Sequence, residues 1–446
     1  MVSVSGVRGL VGKDLTPELV ARYGASFGTL LKEAGKPVAV LARDSRTSGP
    51  MFVAAAQAGL QSVGCRVIDC GMVPTPTAQM AVEHHHAGGG IVLTASHNPV
   101  EWNALKFIGH DGVFLDQAMG EKLRAGVNAA TLPRAGWDTL GTITTDADAI
   151  ARHLELVLKL PFVDAGAIRK KKFTVALDTC RGAGGTTVPQ LLDALGCKVV
   201  AINLETDGRF PRPPEPIPEN LVALGELVRS AGADIGMAVD PDVDRLALTD
   251  VKGRAIGEDY TLAFALRAVL AQQNGPVVVN LSTSLVVEDA ARLHNAKVER
   301  APVGEANVAR AMRKLGAVIG GEGNGGVILP ALHLGRDAPL AIALVLHLLA
   351  TTGKSVAELV SEQPRYVIVK AKAPRGGDVE KMYAALLARY ADAKVDRQDG
   401  LRLAWPDRWL HVRPSGTEPI VRLIAEAPSV EIANELVAAS RAAFGN

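Results

Sequence analysis

Cysteine is scarce in this chain. There are four in 446 residues, Cys65, Cys70, Cys180 and Cys197, and no two form a CxxC pair. Scattered thiols in so long a chain exclude a disulfide scaffold and a thiolate metal knot. They read as reduced and structural, so the expected setting is the cytoplasm. An excess of either charge is missing too: Lys plus Arg number 48 and Asp plus Glu 47, for a net charge of +1. That removes the electrostatic reason to expect nucleic acid or an anionic membrane as partner, and leaves any local basic pocket to serve a small anion. Long apolar runs are absent. The longest, residues 338–350, is interrupted by His347 and falls short of the ~20 residues that spanning a bilayer requires. The opening MVSVSGVRG has no charged segment followed by an apolar run, so it does not read as a signal peptide. A Walker loop, GxxxxGK followed by Ser or Thr, does not occur.

What is present is ample for several interiors: hydrophobic residues make up 48% of a chain too long for one ordinary core. Short β-rich runs alternate with longer amphipathic stretches. Residues 38–42, 66–70 and 90–94 read as strands and 52–63 and 78–86 as helices, a βαβαβ rhythm that argues for an α/β sheet layered by helices. The rhythm returns over 173–178, 189–195, 198–203, 219–230 and 234–239. Residues 245–249 read as the start of a third round, continued by a helix at 260–271, a strand at 276–280, a helix at 285–293 and a strand at 317–320. After 362 the order becomes strand, helix, several short strands and a final helix at 430–444. The expected fold is α/β: three similar α/β domains with mixed sheets layered by helices, at 1–146, 147–249 and 250–363, plus a smaller C-terminal α+β domain at 364–446. The proline-rich 210–218 reads as a rigid surface loop.

Four segments carry chemistry. In TASHNPVEWNALK (94–106) a strand runs into Ser96, His97, Asn98 and Pro99. Pro99 biases Asn98 away from helix, which sets Ser96 on an exposed, fixed loop at the carboxyl end of a strand, where open α/β sheets bind ligands. A serine is a weak nucleophile without a base or metal beside it, and His97 and Lys106 are the nearby candidates; a polar loop with a helix cap is the plainer reading. In VDPDVDR (239–245) apolar residues feed into Asp240, Asp242 and Asp244. Alternate positions of an extended stretch project to one side, and three carboxylates held together repel unless a cation sits among them. Hard oxygen donors suit Mg²⁺, and Arg245 could grip a phosphate. In GGEGNGGVI (320–328) glycines let backbone approach a ligand closely, with Glu322 and Asn324 able to read sugar hydroxyls; a glycine-rich hairpin turn fits as well. In RPSGTEP (413–419) Arg413, Ser415, Gly416 and Thr417 offer a fork, hydroxyls and backbone N–H to a phosphate, though alone this is also a simple turn. The run His84, His85, His86 reads as a helix end rather than a metal site, and RGAGG (181–185) as a strand-to-helix turn.

In this order, one per expected domain, the four segments resemble the α-D-phosphohexomutase family, and SGVRG near the N-terminus resembles that family's opening motif. The resemblance implies a heart-shaped enzyme with a central cleft, an intramolecular phosphotransferase. It would interconvert hexose 6-phosphate and hexose 1-phosphate through a phosphoserine and a hexose 1,6-bisphosphate. Ser96 would carry the phosphoryl group and join Asp240, Asp242 and Asp244 around one Mg²⁺. Lys106 would serve as general acid/base with His97 and Arg8 assisting. Arg245, Glu322 and Asn324, and Arg413, Ser415, Gly416 and Thr417, would hold the substrate. The partner is then a small-molecule sugar phosphate, with no nucleic acid and no membrane, and the enzyme a monomer or homodimer. Asn324 and Gly326 stand where many members carry serine and histidine. Glu305, in PVGEANV (302–308), makes that segment more similar to phosphoglucosamine mutases than to phosphomannomutase/phosphoglucomutase members. Glucosamine phosphate is therefore the expected sugar and glucose or mannose phosphate the alternative. Glu305 would act either as a carboxylate facing a cationic amino sugar or as a cap of the helix it begins. A serine-dependent metal phosphatase or a non-catalytic sugar-phosphate sensor could share parts of this set.

Overall fold

Strands β1 (Val2–Ser3), β2 (Gly6–Leu10), β3 (Val38–Arg43), β4 (Arg66–Met72), β5 (Gly89–Leu93), β6 (Trp102–Gly109) and β7 (Ile143–Thr145) form one sheet in the order β1-β2-β6-β5-β3-β4-β7. Its centre, β5-β3-β4-β7, is parallel, and β6, β2 and β1 return antiparallel. The runs VAVLAR and GGIVL are apolar on both faces because helices cover both faces of a parallel core. The helix Pro17–Glu33 begins where Thr16 accepts from Leu19 N and Pro17 takes the first turn. The computed structural model describes residues 2–3, 6–375, 378–415 and 420–443.

The second and third sheets repeat one plan. Strands β8 (Thr174–Asp178), β9 (Lys198–Ile202), β10 (Ile235–Val239) and β11 (Leu246–Thr249) run β11-β10-β8-β9, parallel except for β11. Strands β12 (Val277–Asn280), β13 (Val298–Ala301), β14 (Ile319–Glu322) and β15 (Gly326–Ile328) run β13-β12-β14-β15, parallel except for β15. In each of the three α/β domains a strand at the edge of the parallel part of the sheet turns back into an antiparallel neighbour, β5 to β6, β10 to β11 and β14 to β15. Each functional segment occupies that turn. The fourth sheet, β16 (Val367–Pro374), β17 (Lys394–Asp396), β18 (Leu401–Ala404), β19 (Trp409–Pro414) and β20 (Ile420–Ala427), is wholly antiparallel in the order β16-β20-β19-β18-β17. Helices Val379–Arg389 and Val430–Ala443 pack on it.

The second and third domains share a continuous apolar core, crossed by the helix Ala338–Thr352, which is buried all round from Ala338 to Ala350. No helix among the described residues is long and apolar enough to cross a membrane.

Several sequence expectations are corrected. Residues 245–249 do not open the third round; Leu246–Thr249 is the antiparallel edge of the second sheet. The 210–218 stretch is not merely surface: Pro214 and Pro216 are buried, and Arg212 donates from Nε to Asp178 Oδ2 at 2.6 Å. The histidine run does end a helix, Thr75–His84, and the RGAGG segment does connect β8 to the helix Gly184–Ala194.

Candidate active site

The turn after β5 carries Ser96 with φ +50°, a left-handed backbone that non-glycine residues seldom adopt. Arg46 holds it there. This arginine has no exposed surface. Its Nη2 donates to the carbonyls of Ser96 and Asn98, both at 2.7 Å, and its Nη1 to those of Pro99 at 2.6 Å and Trp102 at 2.9 Å. Asp44 Oδ2, 3.0 Å from Arg46 Nε, aims the fork. Ser96 is 3% exposed, so the expected open loop is instead covered, because the acidic turn of the second domain lies against it. Ser96 Oγ donates to Asp240 Oδ2 at 3.2 Å and lies 3.4 Å from His97 Nδ1.

The three aspartates come together, but not by alternation along an extended stretch. Residues 240–245 curl into a tight turn through Val243, whose φ is +60°. Asp240 Oδ1 accepts from the N–H groups of Asp244 and Arg245, both at 3.2 Å. All three are fully buried, with one oxygen of each within 4.8 Å of the others. Asp242 Oδ2 accepts from Lys106 Nζ at 2.7 Å and Thr75 Oγ1 at 2.8 Å. Asp242 Oδ1 and Asp244 Oδ1 are buried with no hydrogen-bond partner. Two orphaned carboxylate oxygens beside a third acid and a hydroxyl are the donor set of a hard divalent cation, so these residues fit Mg²⁺. The charges strain against one another. Burial, then Asp244 and Asp242, push the Asp240 carboxyl well above the usual carboxylate range. Burial pushes Asp242 up too, but the Lys106 charge and the bonds from Lys106 and Thr75 outweigh it and hold Asp242 ionised.

His97 is kept neutral: burial first, then the Arg245 and Arg8 charges, depress its pKa well below the ordinary value. Arg8, on β2, donates to Asn98 Oδ1 at 2.6 Å, and Lys106 lies on the adjoining β6. Arg245 Nη1 is 3.4 Å from Glu215 Oε1, which the proline-rich loop delivers to the site.

In the third turn Glu322 Oε1 accepts from Asn280 Nδ2 at 2.8 Å and Gly304 N at 2.9 Å. Its Oε2 meets Arg336 Nη1 at 2.6 Å. Burial raises the Glu322 carboxyl, but Arg336 and these donors prevail and lower it. Gly325 must be glycine: its φ is +86°, and a Cβ would stand 2.3 Å from Leu246 O, the backbone of the acidic domain. Asn324 Oδ1 is buried without a partner at the cavity wall. Glu305 begins the helix Glu305–Leu315, yet it is neither a plain cap nor a free carboxylate. Its Oε1 accepts from Gln79 Nε2 at 2.9 Å and its Oε2 from Arg336 Nε at 3.0 Å.

A cavity of about 560 Å³ joins these groups, walled by Arg8, Ser96, His97, Lys106, Arg245 and Glu322 among others. Arg413 and Ser415 do not line it. Arg413 Nε is 2.9 Å from Asp399 Oδ2, and Asp399 is tied to the third domain by Val303 N at 3.2 Å. The fourth domain reaches the cavity with Arg422, the cross-strand neighbour of Arg413. Gly416 and Thr417 lie outside the described residues. Sequence reasoning missed Arg46, Thr75, Arg336 and Arg422. Only Arg46 left a local signal, as the polar DSR that follows a buried strand.

Comparison with known proteins shows the family and the fold. The phosphoglucomutase/phosphomannomutase family is matched by its α/β/α domain I at residues 2–134, domain II at 151–253, domain III at 257–366 and the C-terminal domain at 367–443. A phosphoglucomutase/phosphomannomutase of Thermococcus kodakarensis is 42% identical, covering 96% of this chain and 95% of the relative. A probable phosphoglucosamine mutase of Methanopyrus kandleri is 37% identical, covering 97% and 95%. The crystal structure of a phosphoglucomutase/phosphomannomutase family protein from Burkholderia thailandensis superposes with a TM-score of 0.88 at 27% identity, covering 100% of this chain and 98% of that one. Four matched domains in sequence, relatives aligned nearly end to end, and one fold throughout place this chain in the phosphoglucomutase/phosphomannomutase family of phosphohexomutases, intramolecular phosphotransferases.

Proposed function

We propose that the enzyme interconverts hexose 1-phosphates and hexose 6-phosphates, with Ser96 as phosphoryl carrier and glucose and mannose phosphates as its preferred substrates. The observation that carries the mutase reading is Ser96 Oγ at 3.2 Å from Asp240, inside a buried acid cluster with two orphaned oxygens. Asp240, Asp242 and Asp244 would hold Mg²⁺, which when bound supplies positive charge against the phosphoryl oxygens. The sugar hydroxyl attacks phosphorus on phosphorylated Ser96. The new sugar O–P bond forms as the Ser96 Oγ–P bond breaks, and Lys106, with His97 assisting, takes the hydroxyl proton. Arg245 neutralises the charge that gathers around Ser96. The hexose 1,6-bisphosphate turns over in the cleft. Its other phosphate then returns to Ser96, with the proton moving back to the sugar oxygen. Closure by the fourth domain, through Arg422, would keep water from the phosphoserine. The free thiols Cys65, Cys70, Cys180 and Cys197 fit a cytoplasmic setting.

The sugar preference rests on hydrogen bonding. Both oxygens of Glu305 and of Glu322 already accept from protein donors, so neither carboxylate offers an oxygen without a donor to an ammonium group. Glucosamine phosphate remains the second reading, supported by the VGE segment and by Glu305 at the cavity wall. The test is a substrate panel of glucose, mannose and glucosamine 1-phosphates with a hexose 1,6-bisphosphate activator, alongside Ser96→Ala. Isomeric phosphate from the wild type, none from Ser96→Ala, and phosphoserine by intact mass are expected. Free phosphate as main product would make it a phosphatase, and fastest turnover of the amino sugar would reverse the preference.

A further inference from the structure

Arg336 belongs to none of the four segments, yet its guanidinium is shared among three carboxylates from three places. Nη2 reaches Asp244 Oδ2 at 2.5 Å, Nη1 reaches Glu322 Oε2 at 2.6 Å, and Nε reaches Glu305 Oε2 at 3.0 Å. The side chain is only 9% exposed. Behind it the backbone is pinned by Asp337, whose Oδ2 lies 2.7 Å from His153 Nε2 and 3.0 Å from His333 Nε2, and whose Oδ1 accepts from Leu340 N at 2.8 Å.

Gly326 makes the room. Its backbone is not in the left-handed region, so conformation does not demand glycine there. Space does: a Cβ at Gly326 would stand 2.2 Å from Arg336 Cδ and 2.9 Å from Cγ. The absent side chain and the arginine are two halves of one arrangement.

We propose that Arg336 is a positioning residue that couples the cation loop to the sugar loop. By taking Asp244 Oδ2 it leaves Asp244 Oδ1 buried without a hydrogen-bond partner. With the same guanidinium it orients Glu322 toward the cavity. Its three nitrogen atoms are engaged by carboxylates, so it acts through Asp244 and Glu322 rather than on substrate. A residue serving either loop alone would change one affinity; Arg336 changes both. This rests on the mutase reading above.

The experiment measures Mn²⁺ binding to the metal-free protein by electron paramagnetic resonance, which needs no turnover, together with KM for hexose phosphate. Arg336→Ala should weaken Mn²⁺ binding and raise KM, each by roughly 10–100-fold. Added guanidinium should restore part of both. Arg336→Lys should fail, because a point charge cannot span three carboxylates. Gly326→Ala, which displaces the guanidinium without removing it, should reproduce the paired loss in the wild type and add little to Arg336→Ala. A folded Arg336→Ala protein that keeps either affinity, or paired losses that guanidinium leaves unrelieved, would overturn the proposal. Should Arg336→Ala not fold, wild-type Mn²⁺ affinity and KM in Gly326→Ala would overturn it. A wild type without mutase turnover would sink the mutase reading, while the Mn²⁺ arm still judges Arg336.

Discussion

Lys106 Nζ and Asp242 Oδ2 stand 2.7 Å apart although 136 residues separate them in the chain. The contact joins the serine domain to the acidic domain, and it leaves Asp242 with one oxygen satisfied and one buried and bare.

Asp242→Asn tests what the bare oxygen is for. The amide removes a negative charge and gives Lys106 a weaker acceptor while nearly preserving volume. In the wild type, added Mg²⁺ should raise the unfolding midpoint by mass action, through a stabilisation of about 2.7 kcal/mol at a hundredfold excess over Kd. In Asp242→Asn the same addition should raise it far less. Turnover should fall by more than the roughly 10–100-fold typical of an outer-shell partner. Calorimetry with and without Mg²⁺ is the measurement, and an equal shift in both proteins would count against a cation at this cluster.

Arg46 should behave as the clamp of the serine loop. Truncating one partner of a buried ion pair costs about 3–5 kcal/mol, because the other charge stays buried alone. Asp44 would be that charge, and burial already pushes its carboxyl up. Arg46→Ala should therefore lower the urea midpoint markedly. Arg46→Lys should recover part of the stability but little turnover, since one ammonium has three donors for four carbonyls and Asp44. The decisive reading is kcat in the lysine variant: a wild-type value would mean that the loop holds its shape unaided.

The legible parts of this protein are those written in consecutive residues. Ser96 and the aspartates stand directly after apolar strands, so both the strand and its chemical tip were visible at once. Three features of the site were not. The route by which Asp240, Asp242 and Asp244 converge is not the expected alternation along an extended stretch but a turn through a left-handed Val243, which β-branched residues seldom adopt and no local pattern announces. Arg336 gains its meaning from Asp244, 92 residues away, and from Glu305 and Glu322; among 48 basic residues nothing marks it. Gly326 looked like a missing side chain, whereas its bareness is the space that Arg336 fills. In the fold, the edge strand Leu246–Thr249 was assigned to the wrong round because a four-residue apolar run carries no information about its partner.

A pH dependence follows from Asp259, beside the glycine-rich turn, where a Cβ on Gly323 would stand 2.1 Å from its Oδ1. Burial holds its carboxyl up at about 8, the Glu426 and Glu258 charges add to this, and the bond from Ser284 N works the other way. In the unfolded chain the group titrates at about 3.9. Between these values the folded protein keeps a proton that the unfolded chain has released, so this group's contribution is fully present below about pH 4 and is lost as pH rises through 8. Asp259→Asn mimics the protonated acid, still accepts from Ser284 N, and does not titrate. Its stability relative to wild type should grow steadily from pH 5 to pH 8, by roughly 2 kcal/mol or more across the window. Urea denaturation at three pH values checks this. Parallel profiles for the two proteins would show that Asp259 is ionised in the fold, with Lys370, whose charge opposes the upward shift, as its counter-charge.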